Sequence, residues 1–215
     1  AEKLELLDSE VDKVLQQLKQ QSNELHKKRQ KWAKTWLQEA RDLLKSLGFK
    51  KAELDIEWIA EPQLHEYGQS RMRIVFAPNA GQVPMPLSRI ASSGEIARVM
   101  LALKAVLAKV DETALLVFDE VDANVGGEIG AQVGKLLACL GETHQVLVVT
   151  HLPQVAAQAQ AHWVVTKHQS EAATTVTIAP VGAPSERVVE LARMLGDRSS
   201  KSALEHAKTL LAVQN

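Results

Sequence analysis

One cysteine, Cys139, occurs among 215 residues. A single thiol can close no disulfide within the chain and can build no multi-cysteine zinc site, which points to a reducing cytoplasm. Proline and glycine are both missing before Gly48, so that stretch holds no helix breaker. Neither sign of charge is in excess, the formal net charge being -1. That balance exerts no global pull toward DNA or an anionic membrane, although a local patch can still bind either. No apolar run approaches the roughly 20 residues of a membrane-spanning helix. The start, "AEKLELLDSEVDK", is charged and has no signal-peptide core. It opens in mid-helix pattern without a methionine, which suggests a piece of a longer protein. Apolar residues, in contrast, are plentiful at 46%, enough for a sizeable core in one or two domains.

Before Gly48, Leu, Gln, Lys and Glu dominate. Leu4, Leu7, Val11, Val14, Leu18 and Leu25 fall at alternating three- and four-residue steps, with a polar miss at Gln21. That is a heptad seam. A broader stripe of Trp32, Trp36, Leu37, Ala40, Leu43, Leu44 and Leu47 follows. Residues 1–47 therefore read as one strand of a coiled-coil arm that runs into a globular body and stops at Gly48. Such a helix would extend about 65–70 Å. The alternative is an amphipathic helix packed wholly on its own domain.

Residues 48–215 read as that body. "ELDIEWIA" and "SRMRIVFAP" alternate as strands with one buried face, and "PNAGQVPMP" is a loop. A helix runs from Gly94 to about Val110. "ALLVF" and "QVLVVT" are short, wholly apolar strands of the kind buried on both faces of a parallel sheet. A helix over Ile129–Leu140 lies between them. A short helix at "LPQVAAQA", two strands at "HWVVTKH" and "TTVTIAP", and two C-terminal helices complete the chain. Strands alternating with helices imply an α/β fold.

The strand "LLVF" ends in Asp119-Glu120, and a glycine-bearing turn follows. Two carboxylates at a strand end suit a nucleotide hydrolase. The first can help hold Mg²⁺, a hard cation that keeps several waters. The second can orient and polarise the water that attacks a γ-phosphate. Open α/β sheets bind ligands at such strand ends. The bland alternative is a solvated acidic turn. "IASSGEIARVMLALK" opens a helix with Ser92, Ser93 and Gly94; helix N-termini attract anions, and a glycine lets a ligand approach the backbone. An ordinary serine N-cap explains the same residues. His151 follows the second apolar strand, where an imidazole can reach a phosphate or simply begin a loop.

Together and in this order, these motifs resemble the C-terminal half of an ABC-type ATPase head. "ASSGE" resembles the ABC signature, "LLVFDE" the Walker B strand, "VDANVGG" the D-loop and "VVTH" the switch histidine. "DEVDA" and the preceding arm are similar to the SMC-like branch of that family. Within the branch, the likeness to ATPases of bacterial double-strand-break repair extends over all 215 residues. The resemblance implies the C-terminal lobe of a P-loop ATPase head with a coiled-coil stub. ATP and Mg²⁺ are the implied cofactors. Asp119 would support Mg²⁺ through water, Glu120 would be the general base, and His151 would contact the γ-phosphate. Ser92, Ser93, Gly94 and Glu95 would face a nucleotide held by an opposing head, with Asp122 and Asn124 as the polar candidates of the D-loop. Implied partners are the protein's own N-terminal half, a second head in a homodimer, and DNA; the implied location is the cytoplasm, at the nucleoid, with no membrane partner.

Three positions depart from the family pattern. Ser93 replaces the first glycine of a Ser-Gly-Gly core, so its side chain either crowds the phosphate or adds a donor. Glu95 stands where many transporters carry glutamine, so its carboxylate must avoid the phosphate. Gly126 occupies a place where longer D-loops carry aspartate. No G-x-x-x-x-G-K-[ST] phosphate loop occurs. The nearest string, "GAQVGKLL", has too short a glycine spacing, and Leu136 follows its lysine. Its Lys135 reads as an exposed helical residue. The family's phosphate loop lies in the N-terminal half, across the coiled coil, so this chain would be one lobe of a split site.

"HKKRQKWAK", residues 26–34, is either a DNA-phosphate contact or a solvated basic face. Trp32 and Trp36, four apart, should pack on one face. His162 and His168 lack metal-type neighbours, so no zinc is expected. Two rival readings are a non-hydrolysing scaffold that keeps an ABC-like fold and a transporter nucleotide-binding subunit.

Overall fold

The computed structural model describes residues 2–169 and 174–212. The chain divides into two compact units, Ala1–Lys45 with Phe49–Ala91, and Ser46–Gly48 with Ser92–Asn215.

The first unit is built on helix α1, Glu2–Ser46. It stops where glycine permits left-handed backbone, with Gly48 at φ 97°, and the Phe49 amide donates to the Leu44 carbonyl at 3.0 Å. That is a Schellman-type closure. The heptad residues from Leu4 to Leu25 are between 66% and 36% exposed, so the seam has no partner among the described residues. The later stripe is different: Ala33, Trp36, Leu37, Ala40 and Leu44 are buried. Trp32 and Trp36 stack with centroids 5.6 Å apart. Strands β1 (Glu53–His65) and β2 (Gly68–Ala77) pair antiparallel. The two-residue β3 (Met85–Pro86) joins β2.

Leu54 and Ile56 point inward, as their alternation requires, and Arg41 donates from Nε and Nη2 to the Leu54 carbonyl at 3.0 and 2.8 Å. At the far end of the hairpin, the Gln69 amide donates to buried Ser22 Oγ at 2.9 Å. Arg29 donates to the Tyr67 carbonyl at 2.7 Å. These contacts are why the hairpin clusters with α1, although the sequence alone assigns it to a body of residues 48–215.

The second unit runs α2 (Ser93–Leu107), β4 (Leu115–Phe118), α3 (Gly127–Leu140), β5 (Gln145–Val148) and α4 (Pro153–Ala156). It continues with β6 (Trp163–Gln169), β7 (Thr174–Pro180), α5 (Pro184–Met194) and α6 (Lys201–Ala212). Strands β4 and β5 are parallel, in register from Leu115–Gln145 to Phe118–Val148, with α3 as the crossover. Strands β6 and β7 form a separate antiparallel ribbon. Leu116 and Phe118 are buried, as are Val99, Leu103, Val133 and Leu137 of the neighbouring helices.

The expectation that β4 and β5 are buried on both faces is corrected here. Leu115 and Val117 are 48% and 58% exposed, and Leu147 and Val149 are 54% and 58% exposed. Side chains alternate across a strand, and among the described residues nothing covers this second face. The ribbon β6–β7 likewise exposes Trp163, Val165, Val176 and Ile178. A small core of Ala156, Ala157, Leu191, Ala192 and Ala207 closes the C-terminal helices. Arg187 clips them by donating to the carbonyls of Ala156 at 3.2 Å, Ala157 at 3.1 Å and Ala159.

Candidate functional site

Parallel strands bring their ends to the same edge. The ladder of β4 and β5 finishes at Phe118–Val148, and the Val149 amide still donates to the Phe118 carbonyl at 3.0 Å. Asp119-Glu120 and Thr150-His151 therefore leave the sheet side by side. Asp119, Glu120 and His151 are all exposed there.

Glu120 has φ 57° and Asn124 φ 59°. Left-handed backbone is uncommon for a residue with a Cβ and clusters at functional sites. The turn between them folds back, with the Ala123 amide on the Glu120 carbonyl at 3.0 Å. It packs against the start of α2. A Cβ on Gly94 would lie 2.9 Å from Ala123 Cβ, 3.1 Å from the Glu120 carbonyl oxygen and 3.3 Å from that of Ala123. Gly94 is buried. Its missing side chain makes room for this turn.

Ser92 is the N-cap of α2, accepting from the Glu95 amide at 3.4 Å. The Ser93 hydroxyl donates to Glu120 Oε2. The Ser93 side chain thus acts as a donor to a carboxylate of its own chain. Glu95 is half-buried and Asn124 is exposed on the turn.

Asp122 requires a correction. The resemblance makes it a polar D-loop candidate for cofactor binding, yet it is 1% exposed. Its Oδ2 accepts from Thr150 Oγ1, from the His151 amide at 3.1 Å and from the Leu152 amide at 3.2 Å. His151 Nδ1 lies 3.4 Å from the same oxygen. A buried carboxylate must find donors, and here the loop after β5 supplies them.

Two participants carry no signal in the sequence. Thr150 is one. Arg98 is the other: it is buried one turn into α2 and donates to the Ala123 carbonyl at 3.0 Å. Burial pushes its guanidinium below its usual range, against the opposing pull of Glu95 and then Asp122. No periodicity marks either residue. The string "GAQVGKLL" has a packing explanation. A Cβ on Gly130 would lie 2.8 Å from Leu152 Cδ1, and one on Gly134 3.0 Å from the Gln154 carbonyl oxygen. The two glycines let α3 press against residues 152–158, while Lys135 is exposed.

Among the described residues, no group of three or more His, Cys, Asp or Glu side chains gathers to hold a metal. The exposed strand-end carboxylates Asp119 and Glu120 are oxygen donors of the kind Mg²⁺ takes singly or in pairs, with waters and phosphate oxygens filling its other positions. No described helix is long and apolar enough to cross a membrane.

No family model matches the chain. Curated relatives do. It is 37% identical over 214 residues to the DNA repair protein RecN of Treponema pallidum, a match covering 96% of this chain and 37% of that protein. Against RecN of Deinococcus radiodurans it is 39% identical over 206 residues, covering 96% and 36%. Against RecN of Vibrio cholerae it is 38% identical over 213 residues, covering 98% and 38%. The chain belongs to the RecN family. It spans a little over a third of the length of these curated relatives, 36–38%.

Among solved structures it is similar to an Smc head domain with a coiled coil and joint from Pyrococcus yayanosii. There the TM-score is 0.57 at 16% identity, covering 96% of this chain and 35% of that one. An Smc head domain with an extended coiled coil from Pyrococcus furiosus gives a TM-score of 0.54 at 16% identity, covering 91% and 46%. That likeness is one of fold. The RecN-family chain shares the α/β architecture of these Smc head domains.

Proposed function

We propose that this RecN-family chain is the C-terminal lobe of an SMC-like ATPase that acts in DNA double-strand-break repair and recombination. The observation that carries the reading is the shared edge of β4 and β5. Asp119-Glu120 and His151 leave the sheet there together, and Ser93 at the start of α2 bonds to Glu120. Magnesium-bound ATP supplies the phosphoryl group and much of the charge neutralisation that its transfer needs. Asp119 would hold the metal, a hard cation that takes carboxylate oxygens and keeps waters. Glu120 orients the attacking water and takes its proton. His151 donates to the γ-phosphate.

The start of α2 serves a second nucleotide. Ser92 and the first-turn amides face the triphosphate of an opposing head in a homodimer, while the half-buried Glu95 carboxylate stays off it. Asn124, exposed on the turn, is the polar D-loop residue that remains available to that partner. ATP is then sandwiched between two heads, and hydrolysis lets them separate. The phosphate loop comes from the N-terminal half of the same protein. The exposed apolar face of Leu115, Val117, Leu147 and Val149 supports a missing partner for this lobe, since such a patch is costly to leave in water. The exposed heptad seam of α1 supports a mate in the coiled coil. DNA is the substrate on which this cycle acts, in the bacterial cytoplasm.

The test is Glu120→Gln in a protein carrying both halves. It should bind ATP, accumulate joined heads and lose turnover. Hydrolysis at the unchanged rate would remove Glu120 from the role of base.

A further inference from the structure

We propose that Asp122 is the positioning residue of His151, and that it locks the turn after β4 to the loop after β5 as one rigid unit. In its mechanistic part the proposal rests on the reading of His151 given above. The geometry itself does not.

Four groups of one loop converge on a single oxygen. Thr150 donates its hydroxyl to Asp122 Oδ2, and the amides of His151 and Leu152 donate at 3.1 and 3.2 Å. Thr150 Oγ1 also accepts from the Leu152 amide at 3.0 Å, so the loop is cross-tied within itself. The backbone of His151 is thereby fixed at both its own amide and the next one. The imidazole lies beside the same oxygen, with Nδ1 at 3.4 Å from Oδ2. An oxygen that already accepts from three donors offers no proton, so a hydrogen bond across that 3.4 Å requires the N–H on Nδ1. In the neutral ring Nε2 is then the unprotonated nitrogen, and protonation at Nε2 makes it the donor for a phosphate. Carboxylates commonly fix a histidine tautomer this way.

Burial makes the lock stiff. The Asp122 side chain is 2% exposed, against 69% for His151. The anchor is therefore internal and the ring tip is free. The other side of the turn is equally constrained. Arg98 holds the Ala123 carbonyl at 3.0 Å, and Gly94 admits Ala123 at close contact. A displacement of the start of α2 must therefore move the turn, and with it Asp122 and the ring of His151. The site of a second head's nucleotide and the γ-phosphate contact of this one are mechanically joined through residue 122.

The experiment reads the tautomer of His151 by side-chain ¹⁵N NMR in this chain. It is done near pH 8.5, above the ordinary imidazole range of about 6.5, with His151→Gln for assignment. The native chain should show Nδ1–H, and Asp122→Leu, which has no acceptor, should shift His151 to the ordinary Nε2–H form. A native Nε2–H ring, or an Asp122→Leu chain that keeps Nδ1–H, overturns the proposal. If Asp122→Leu does not fold, Thr150→Val serves instead. It removes one donor but keeps the carboxylate, so Nδ1–H must persist; its loss also overturns the proposal.

A kinetic arm uses the protein with both halves. Asp122→Leu, which removes the acceptor, should lower kcat by about 100-fold, the scale of a small misplacement of a reacting group, with KM for ATP little changed. The double variant with His151→Gln should be no slower than His151→Gln alone. Additive losses would contradict action through His151. If His151→Gln by itself leaves turnover intact, the γ-phosphate role fails, while the NMR result still decides the lock.

Discussion

Replacing Gly94 by alanine puts a methyl carbon 2.9 Å from Ala123 Cβ and 3.1 Å from the Glu120 carbonyl oxygen. Ordinary carbon–carbon contact is about 3.5–4.0 Å. The methyl is therefore too close by more than half an ångström, and the opposing atoms belong to a backbone turn rather than to a flexible side-chain tip. Overpacking of this kind costs about 1–3 kcal/mol. Alanine returns about 0.5–1 kcal/mol through its better helix propensity. The net lies between about 0 and 2.5 kcal/mol, centred on a loss of about 1 kcal/mol, or a fall in Tm of about 2–4 °C for a chain of this size. Thermal unfolding followed by circular dichroism measures it. Gly182→Ala is the control, because a Cβ there meets nothing within 4 Å, and its effect should stay within about 0.5 kcal/mol. A Gly94→Ala chain as stable as the native one would mean that the turn after β4 does not press on α2, and that the coupling through Ala123 and Asp122 is wrong.

Asp111 should shape the acid limb of the stability curve. Lys104 at 2.6 Å, then the hydroxyl and amide of Thr113, hold its carboxyl well below the usual carboxylate range. Its stabilising contribution is complete above about pH 4 and is lost as the pH falls further. The stability gap between native and Asp111→Asn chains in urea should therefore shrink on acidification; a gap constant with pH would count against the pairing. Arg187→Met keeps the stem but loses three carbonyl contacts, and should destabilise by about 1–3 kcal/mol in urea titration. Arg187→Lys should recover only part of that, since an ammonium lacks the guanidinium fork; full recovery would argue against the clip. If the basic face of α1 contacts DNA phosphates, Lys27→Glu, Lys31→Glu and Lys34→Glu should each reduce the salt slope of DNA binding by about 1. An unchanged slope would leave those residues as a solvated face.

Much of the fold was legible because periodicity is a local property. The glycine-free stretch with its heptad seam is one helix, and Gly48 ends it with positive φ. The alternation of Leu54 and Ile56 is a strand with one buried face. The order strand, helix, strand around Asp119 and His151 is the β4–α3–β5 unit. What failed was orientation and coverage. A run such as "LLVF" reads the same whether one face is covered or two, because coverage belongs to whatever packs on it. "DEVDA" carries three carboxylates in a row of four positions, and only the left-handed backbone at Glu120 decides that Asp122 turns inward while Asp119 and Glu120 stay exposed. Gly94 is a glycine for a neighbour far along the chain, which no local pattern reports. Arg98 sits among apolar residues of α2, and its acceptor is a carbonyl, a group every residue has.

The central claim is that this lobe brings the strand-end carboxylates and the histidine but must borrow its phosphate grip. ATP turnover by this chain, by an N-terminal half bearing a G-x-x-x-x-G-K-[ST] loop, and by their mixture tests it most directly. Phosphate release should be negligible from either piece, should rise in the mixture, and should vanish again when the mixed chain carries Glu120→Gln. Robust turnover by this chain alone, or a mixture indifferent to Glu120, would contradict it.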